Sequence, residues 1–229
     1  MSASARWQEL ISQNLSSGSI PGYRKQEVSF SQIQSLANAA QTVPTASAAT
    51  NFTQGPLRNS GSNMDFAIDG PGFFEVQMPN GKHAYTRDGE FGLNAQGQVV
   101  TKQGYLVLSD GGPIQMDPAN SMPLYIAPTG EISQGADTKG KLRLVEFPQP
   151  NQLNSLGGGY FVSNNKQVQP QDATTSVVRQ GFLEGANTTP VDEMVSLITA
   201  MRMFEANQRL VSMQDERMGK VIAALGNPS

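Results

Sequence analysis

A stripe of apolar residues with three- and four-residue spacing runs through residues 190–225, near the end of the chain. Its members are Val191, Met194, Val195, Ile198, Met201, Phe204, Val211, Met218, Val221, Ile222 and Leu225. This spacing predicts one long amphipathic helix. Thr188 or Thr189 can cap its start, Pro190 suits its first turn, and Gly226 ends it. At about 1.5 Å per residue the helix would be about 50 Å long, more than a compact domain of this size needs.

A second, shorter apolar face lies at the other end of the chain. Residues 3–17 are predicted to form a helix that stops before Pro21. One side of this helix carries the apolar residues Trp7, Leu10, Ile11 and Leu15. A helix of this length is not stable alone in water. Since each terminal helix lacks another partner, we expect the two to pair as a coiled coil.

Between the helices the hydrophobic period changes to two. From Phe66 onward, short apolar runs alternate with turn signals about every ten residues, which predicts a β-rich domain. Asn80-Gly81 and Asp88-Gly89 are the strongest hairpin signals, because both positions of a two-residue type I′ turn need positive φ. The stretch between Phe30 and Gly55 is rich in Ala, Ser, Thr and Gln and predicts an extended linker.

The predicted fold class is mainly β with terminal α-helices: a β-rich central domain is inserted between N- and C-terminal helices that pair as a coiled coil. The N-terminal helix and the loop after it are assigned to residues 1–30, and the extended linker to 31–60. The β-rich central domain is assigned to 61–180, and the long C-terminal helix to 181–229.

Composition and charge exclude several classes of function. The chain of 229 residues has no cysteine, which excludes disulfides, a thiol nucleophile and a cysteine zinc site. Its formal charge is −3 and it has no basic run, so we expect no nucleic-acid partner. No apolar run approaches the roughly 20 residues of a membrane span. The N-terminal segment lacks a signal-peptide core, so export would use another route.

Candidate catalytic chemistry is sparse. His83 is the only histidine, and without a G-x-S-x-G elbow it is predicted to be a solvent-facing strand residue. The segment 70–75, GPGFFE, imitates a dinucleotide fingerprint, but Glu75 replaces the last glycine and a strand follows. We therefore expect a tight turn there, with Phe73 and Phe74 in the β-domain core. We expect no catalytic residue, metal site, cofactor or small-molecule substrate.

Three groups of segments carry one longer pattern in a fixed order. They are QNLSSGSIPGYRK (13–25); TQGPL (53–57), DFAIDGPGFFEV (65–76) and YTRDGEF (85–91); and QGFLEGAN (180–187) with EMV (193–195) and RMFEAN (202–207). Together they resemble the bacterial flagellar rod proteins of the hook–basal body superfamily. The resemblance covers essentially the whole chain.

The resemblance implies a structural subunit and not an enzyme. It implies that the terminal helices form the inner coiled-coil layer of a helical tube and the β domain an outer layer, and that the tube transmits torque from motor to hook. The implied partners are the chain itself, other flagellar axial proteins of the rod and hook, and the flagellar type III export apparatus. The implied location is the basal-body rod in the periplasmic space, reached without a cleaved signal peptide.

The terminal helices supply the expected assembly interface. Its residues are Leu10, Ile11, Leu15, Val191, Met194, Val195, Ile198, Met201, Phe204 and Val211. The alternative is that these residues form only the core of an intramolecular helical hairpin. Two other functions stay open at this point: a β-domain binding module with a coiled-coil stalk, and a secreted carbohydrate-active enzyme with paired carboxylates.

Overall fold

The computed structural model of the protein describes residues 2–34, 42–117, 120, 122–165 and 168–225. Two helices, α1 and α2, lie at the ends of this part of the chain, and the segments between them are mostly strands. The predicted class, mainly β with terminal helices, is therefore confirmed. Neither described helix combines the length and apolarity needed to cross a lipid bilayer.

The helix bounds agree closely with the sequence pattern. The helices are α1 (Ser2–Ser17) and α2 (Pro190–Leu225). The Thr189 hydroxyl accepts a hydrogen bond from the Asp192 backbone amide at 3.3 Å and donates one to the Asp192 carboxylate at 2.6 Å, so Thr189 is the cap.

The strands are short, as the frequent turn signals predict. They are β1 (Gln26–Gln34), β2 (Thr42–Thr50), β3 (Leu57–Asn59), β4 (Phe66–Asp69), β5 (Phe73–Gln77), β6 (His83–Thr86), β7 (Phe91–Leu93), β8 (Val99–Thr101), β9 (Leu106–Ser109), β10 (Gly112–Pro113), β11 (Leu124–Ile126), β12 (Glu131–Gln134), β13 (Asp137–Lys141), β14 (Leu144–Glu146), β15 (Asn154–Gly157), β16 (Tyr160–Val162), β17 (Gln171–Asp172), β18 (Val177–Gln180) and β19 (Phe182–Glu184). A 3₁₀ turn covers Pro150–Gln152.

The chain divides into two compact units. The helical unit consists of Met1–Ser16, Gln26–Ala49 and Thr189–Ser229, and the β unit consists of Ser17–Lys25 and Thr50–Thr188. The helical unit contains β1 and β2, which form a two-stranded sheet. Described residues of the predicted extended linker therefore belong to the paired strands β1 and β2.

The β unit is built around one large antiparallel sheet. Its main path is β15-β16-β6-β5-β9-β8-β7, with β10 on β9 and β14 between β5 and β17. A three-stranded sheet, β11-β12-β13, and two strand pairs, β4-β18 and β3-β19, complete the unit. The pairs β4-β18 and β3-β19 join the beginning of the β unit to its end.

Alternation along β5 divides the apolar residues between two cores. Phe74 and Val76 belong to the larger core, whereas Phe73 packs into a second core with Phe147 and Phe161. In the second core the rings of Phe73 and Phe161 meet edge to face, with centroids 6.1 Å apart. The expectation that Phe73 and Phe74 belong to the β-domain core is confirmed.

The Asn80-Gly81 hairpin is present, but its turn type differs from the prediction. It joins β5 to β6 through residues 78–82, and the Gly81 amide donates to the Met78 carbonyl at 2.9 Å. Gly81 has φ +76°, whereas no described non-glycine residue has positive φ. Pro79 favours the second position of a type I turn, so Gly81 supplies the left-handed residue of a longer loop. His83 follows this loop and is exposed, as predicted.

The prediction of a hairpin turn at Asp88-Gly89 is wrong. Gly89 does not have positive φ. Its carbonyl instead accepts a hydrogen bond from the Phe66 amide at 3.0 Å, and Asp65 and Glu90 form an isolated bridge. A Cβ added at Gly89 would lie 1.6 Å from the Phe66 carbonyl oxygen. Glycine is needed here for close backbone approach and not for turn geometry.

The substitution Gly89→Ala is expected to lower the free energy of unfolding of the β unit by about 3 kcal/mol or more, because backbone must move. Gly92→Ala, in the adjacent β7, is the matched control. An added Cβ there would meet no atom of the described residues within 4 Å, so a change within about 0.5 kcal/mol is expected. Urea denaturation measures both, and equal losses in the two variants would contradict this account.

Asp88 is a buried carboxylate beside this close contact. Its Oδ1 accepts the Glu90 backbone N–H at 3.0 Å. Burial raises the pKa of Asp88 from 3.8 to about 6, although the Glu90 amide opposes the shift. The folded state therefore holds the proton more tightly than the unfolded state. The resulting stabilisation is fully present below the ordinary pKa and is lost as the pH rises through about 6.

Asp88→Asn is expected to raise the free energy of unfolding at about pH 8 by about 2 kcal/mol and to change it little near pH 4, because asparagine keeps the acceptor oxygen without the charge. Urea denaturation at the two pH values measures the difference. All five tyrosines lie in the β unit, so their circular dichroism reports on it. Equal effects at both pH values would show that charge is not the cause.

Candidate functional site

The first turns of α2 present two different faces. Glu193 and Ala200 are buried, and Leu197 and Phe204 are half-buried on the same side. Ile198 is two residues from Ala200, and since each helical residue turns about 100°, it lies on nearly the opposite side. The inner face of α2 is therefore already covered within the chain.

The outer face of α2 is apolar and exposed. Its side chains are between 52% and 69% accessible to solvent, and they are Val191, Met194, Val195, Ile198 and Met201. All five are among the predicted interface residues. A contiguous apolar patch of this kind, on a helix whose other side is packed, is typical of a protein contact.

In the second half of α2, residues 205–221 are exposed on every side of the helix. Leu197, Phe204, Val211 and Met218 recur every seven residues, which is the spacing of a coiled-coil seam. Of the predicted interface residues, Val211 lies in this exposed half and Phe204 lies at its beginning.

The predicted interface residues of α1 are placed differently. Leu10 and Ile11 are buried, and Leu15 is half-buried. Between them lies Asn14, whose Nδ2 donates to the Gln26 carbonyl at 2.8 Å and to the Glu193 carboxylate at 3.4 Å. The structure thus separates the ten predicted residues into a buried group on α1 and a largely exposed group on α2.

A buried ionic cluster lies in the β unit, centred on Glu184. Its Oε1 accepts hydrogen bonds from the Arg24 guanidinium at 2.5 Å and the Gly55 amide at 2.8 Å. Its Oε2 accepts one from the Arg87 guanidinium at 3.1 Å. The side chains of Glu184 and Arg24 are 0% exposed, and that of Arg87 is 3% exposed. These residues come from three distant parts of the chain.

The cluster contains two cations and one anion. Burial lowers the pKa of Arg87 to about 10, although the Glu184 carboxylate opposes the shift, so Arg87 stays charged at neutral pH. Arg87 Nη2 also donates to the Gly70 carbonyl at 2.6 Å, and its guanidinium lies 5.1 Å from the centroid of the Phe73 ring. Three nitrogens, Nε and Nη2 of Arg24 and Nε of Arg87, have no partner among the described residues. Glu184 therefore carries most of the charge compensation.

Two glycines allow the chain segments to meet around this cluster. Gly22 has φ +67°, and a Cβ there would lie 2.4 Å from the Arg87 backbone. A Cβ on Gly55 would lie 2.0 Å from the Gly185 carbonyl oxygen. The signature segments that contain Gly22, Gly55, Arg87 and Glu184 are far apart in sequence and in contact in the fold.

Sequence reasoning did not single out Arg24, Arg87 or Glu184 as a site. A usable signal was present, because only 15% of the chain is charged and these three residues lie inside the signature segments. What the sequence could not supply was the pairing, since the register of β19 on β3 is what brings Glu184 next to the segment of Gly55.

Glu184→Gln is expected to lower the free energy of unfolding of the β unit by about 3 to 5 kcal/mol, because two arginines would stay buried without a counter-charge. Asp69→Asn is the matched control. It removes the pair of Asp69 with Arg179, 2.7 Å apart and about half exposed, and should cost about 1 kcal/mol or less. Urea denaturation followed by tyrosine circular dichroism compares them, and similar costs would disprove the central role of Glu184.

The chain matches two protein-family models, and each matched range contains one charged residue of this cluster. Residues 67–134 match the flagellar hook protein FlgE/F/G D1 domain. Residues 179–224 match the C-terminal region of flagellar basal body rod FlgEFG proteins. The second match includes Glu184 and most of α2.

Curated relatives align over most of the chain. The flagellar basal-body rod protein FlgF of Caulobacter vibrioides is 33% identical over 230 residues, which cover 95% of this chain and 91% of the relative. The FlgG rod protein of Buchnera aphidicola subsp. Schizaphis graminum is 35% identical, over 74% of this chain and 68% of its own length. FlgG of Bacillus subtilis is 31% identical, over 94% and 83%. The chain belongs to the flagellar basal-body rod protein family.

Proposed function

We propose that this chain assembles with copies of itself and with other axial proteins through the exposed faces of α2. As a family member the chain is a structural subunit of the basal-body rod, and it is located in the flagellar basal body. Family membership does not identify the surface that makes these contacts, and the proposal assigns that surface to α2.

One observation carries this assignment: α2 keeps an exposed apolar outer face opposite a buried inner face. A helix in an intramolecular hairpin core needs only one apolar face. Ile198 lies at the centre of the outer face and is 52% exposed, whereas Ala200 on the inner face is fully buried. The outer face therefore favours contact with another molecule over a purely internal role.

The exposed second half of α2 indicates the form of the contact. The seven-residue spacing from Leu197 to Met218 suits a coiled coil with a helix from a neighbouring subunit. This seam continues the inner side of α2 past the turns that the chain itself covers, so a neighbour's helix can pack on residues 205–221 without displacing those contacts. A surface that binds a different surface on the next copy generates an open helical assembly when rotation does not close it.

The wider role follows from such an assembly. A tube of these subunits would transmit torque from motor to hook, with the terminal helices in its inner layer and the β units outside. The subunits would reach the periplasmic space through the flagellar type III export apparatus without a cleaved signal peptide. This role requires no catalysis, nucleic acid or small-molecule substrate.

Ile198→Asp is expected to abolish assembly, because a carboxylate would have to be buried in an apolar contact without a partner. Sedimentation and electron microscopy of the purified full chain at rising concentration measure assembly. The wild type should form large open assemblies, whereas the variant should stay monomeric with an unchanged tyrosine circular-dichroism spectrum.

The matched control is Ser212→Asp, which adds the same charge at an exposed position of α2. Ser212 lies beyond the apolar patch, where this side of α2 carries the charged residues Arg209 and Glu216, and it is outside the Leu197–Met218 seam. This variant should assemble at the wild-type concentration. Assembly of Ile198→Asp, or loss of its β-unit signal, would contradict the proposed contact. A finite wild-type oligomer at every concentration would instead indicate a stalked binding module.

A further inference from the structure

The chain passes between the helical unit and the β unit four times. The crossings lie after Ser16, Lys25, Ala49 and Thr188. In the β unit, the chain next to these crossings is irregular over residues 18–25, 51–56 and 185–188, and such loop segments could move independently if nothing joined them. The side chain of Asn187, one residue before the last crossing, joins three of them.

Each polar atom of the Asn187 side chain is used. Its Oδ1 accepts the Lys25 backbone N–H at 2.7 Å. Its Nδ2 donates to the carbonyls of Asn51 at 2.8 Å and Thr53 at 3.1 Å. One amide group thus binds the segment that ends at Lys25 and the segment that begins at Thr50.

Backbone hydrogen bonds complete this junction. The Asn187 amide donates to the Tyr23 carbonyl at 3.2 Å, and the Asn51 amide donates to the Lys25 carbonyl at 2.9 Å. The first crossing is held nearby, because the Gly22 amide donates to the Glu184 carbonyl at 2.7 Å. The segments next to the first three crossings are therefore all hydrogen-bonded to Glu184 or Asn187, which lie just before the fourth crossing.

The chemistry at position 187 is specific to an amide of this length. Aspartate could accept from Lys25 but could not donate to the two carbonyls, and its charge would repel them. Alanine would leave one amide N–H and two carbonyls without this partner. Glu184 supplies the rigid base of the junction, since its carboxylate is held on three sides.

We propose that Asn187 is a positioning residue for rod assembly. Its amide holds the crossing segments at fixed spacing in the β unit, so the segments that lead to α1 and α2 are ordered before a second copy binds. Ordering before binding reduces the entropy lost on association. This role rests on the assembly through α2 proposed above.

The test compares wild type with Asn187→Ala and Asn187→Asp, and uses Asn164→Ala as the control because Asn164 is exposed. Hydrogen exchange at the Lys25 amide should be roughly tenfold faster in Asn187→Ala and less affected in Asn187→Asp, which keeps the acceptor. The concentration needed for assembly in sedimentation should rise roughly tenfold in both variants. Asn164→Ala should match wild type in both measurements.

Val76→Ala distinguishes a positioning role of Asn187 from a purely stabilising one, because it weakens the β core away from the crossings. Suppose that Val76→Ala lowers the urea midpoint as much as Asn187→Ala does. If it also raises the concentration needed for assembly as much, the positioning role is wrong. Assembly of Asn187→Ala at the wild-type concentration would also overturn it. If Ile198→Asp assembles normally, the contact through α2 fails first. If Ile198→Asp blocks assembly but both Asn187 variants assemble at the wild-type concentration, the α2 contact is supported and the positioning role of Asn187 is wrong.

Discussion

Glu184 accepts hydrogen bonds from two arginines and a backbone amide in a site that excludes solvent, and the β unit depends on this carboxylate. Without it, Arg24 and Arg87 would be like charges in a low-dielectric interior. The carboxylate draws together the segment after α1, the segment before β3 and the segment before α2. Burying three charges costs free energy, but the buried cluster fixes the geometry in which these distant segments meet.

The two units differ in how completely each buries its own apolar surface. The β unit is closed upon itself: two aromatic-rich cores, antiparallel strands and a satisfied central carboxylate. The helical unit is incomplete, because α2 has more apolar surface than its own chain covers. A subunit with one finished part and one unfinished part keeps its fold in isolation and still gains free energy by burying α2 against a neighbour. This division suits a structural subunit whose contacts with neighbours are made by α2, as proposed above.

Local pattern predicted most of the elements, and non-local pairing accounts for what it missed. The bounds of α2 followed from its apolar spacing and from Pro190 because both signals are local. The type of turn at Asn80-Gly81 was missed because Pro79 decided it, and Asp88-Gly89 was misassigned because its glycine faces the backbone of a remote strand. The five residues of the outer face of α2 were all among the predicted interface residues, and their role in assembly stays a prediction. The ionic cluster was not, since only the assembled sheet brings its three members together.

The loop around Gly81 has a consequence for how such subunits diversify. An added Cβ at Gly81 would meet no described atom within 4 Å, and the loop lies at one end of the β5-β6 hairpin, separate from the Glu184 and Asn187 contacts. Extra residues inserted there would lengthen a hairpin without disturbing the junction. A subunit can therefore gain length at this loop while α2, and with it the surface proposed for assembly, stays unchanged.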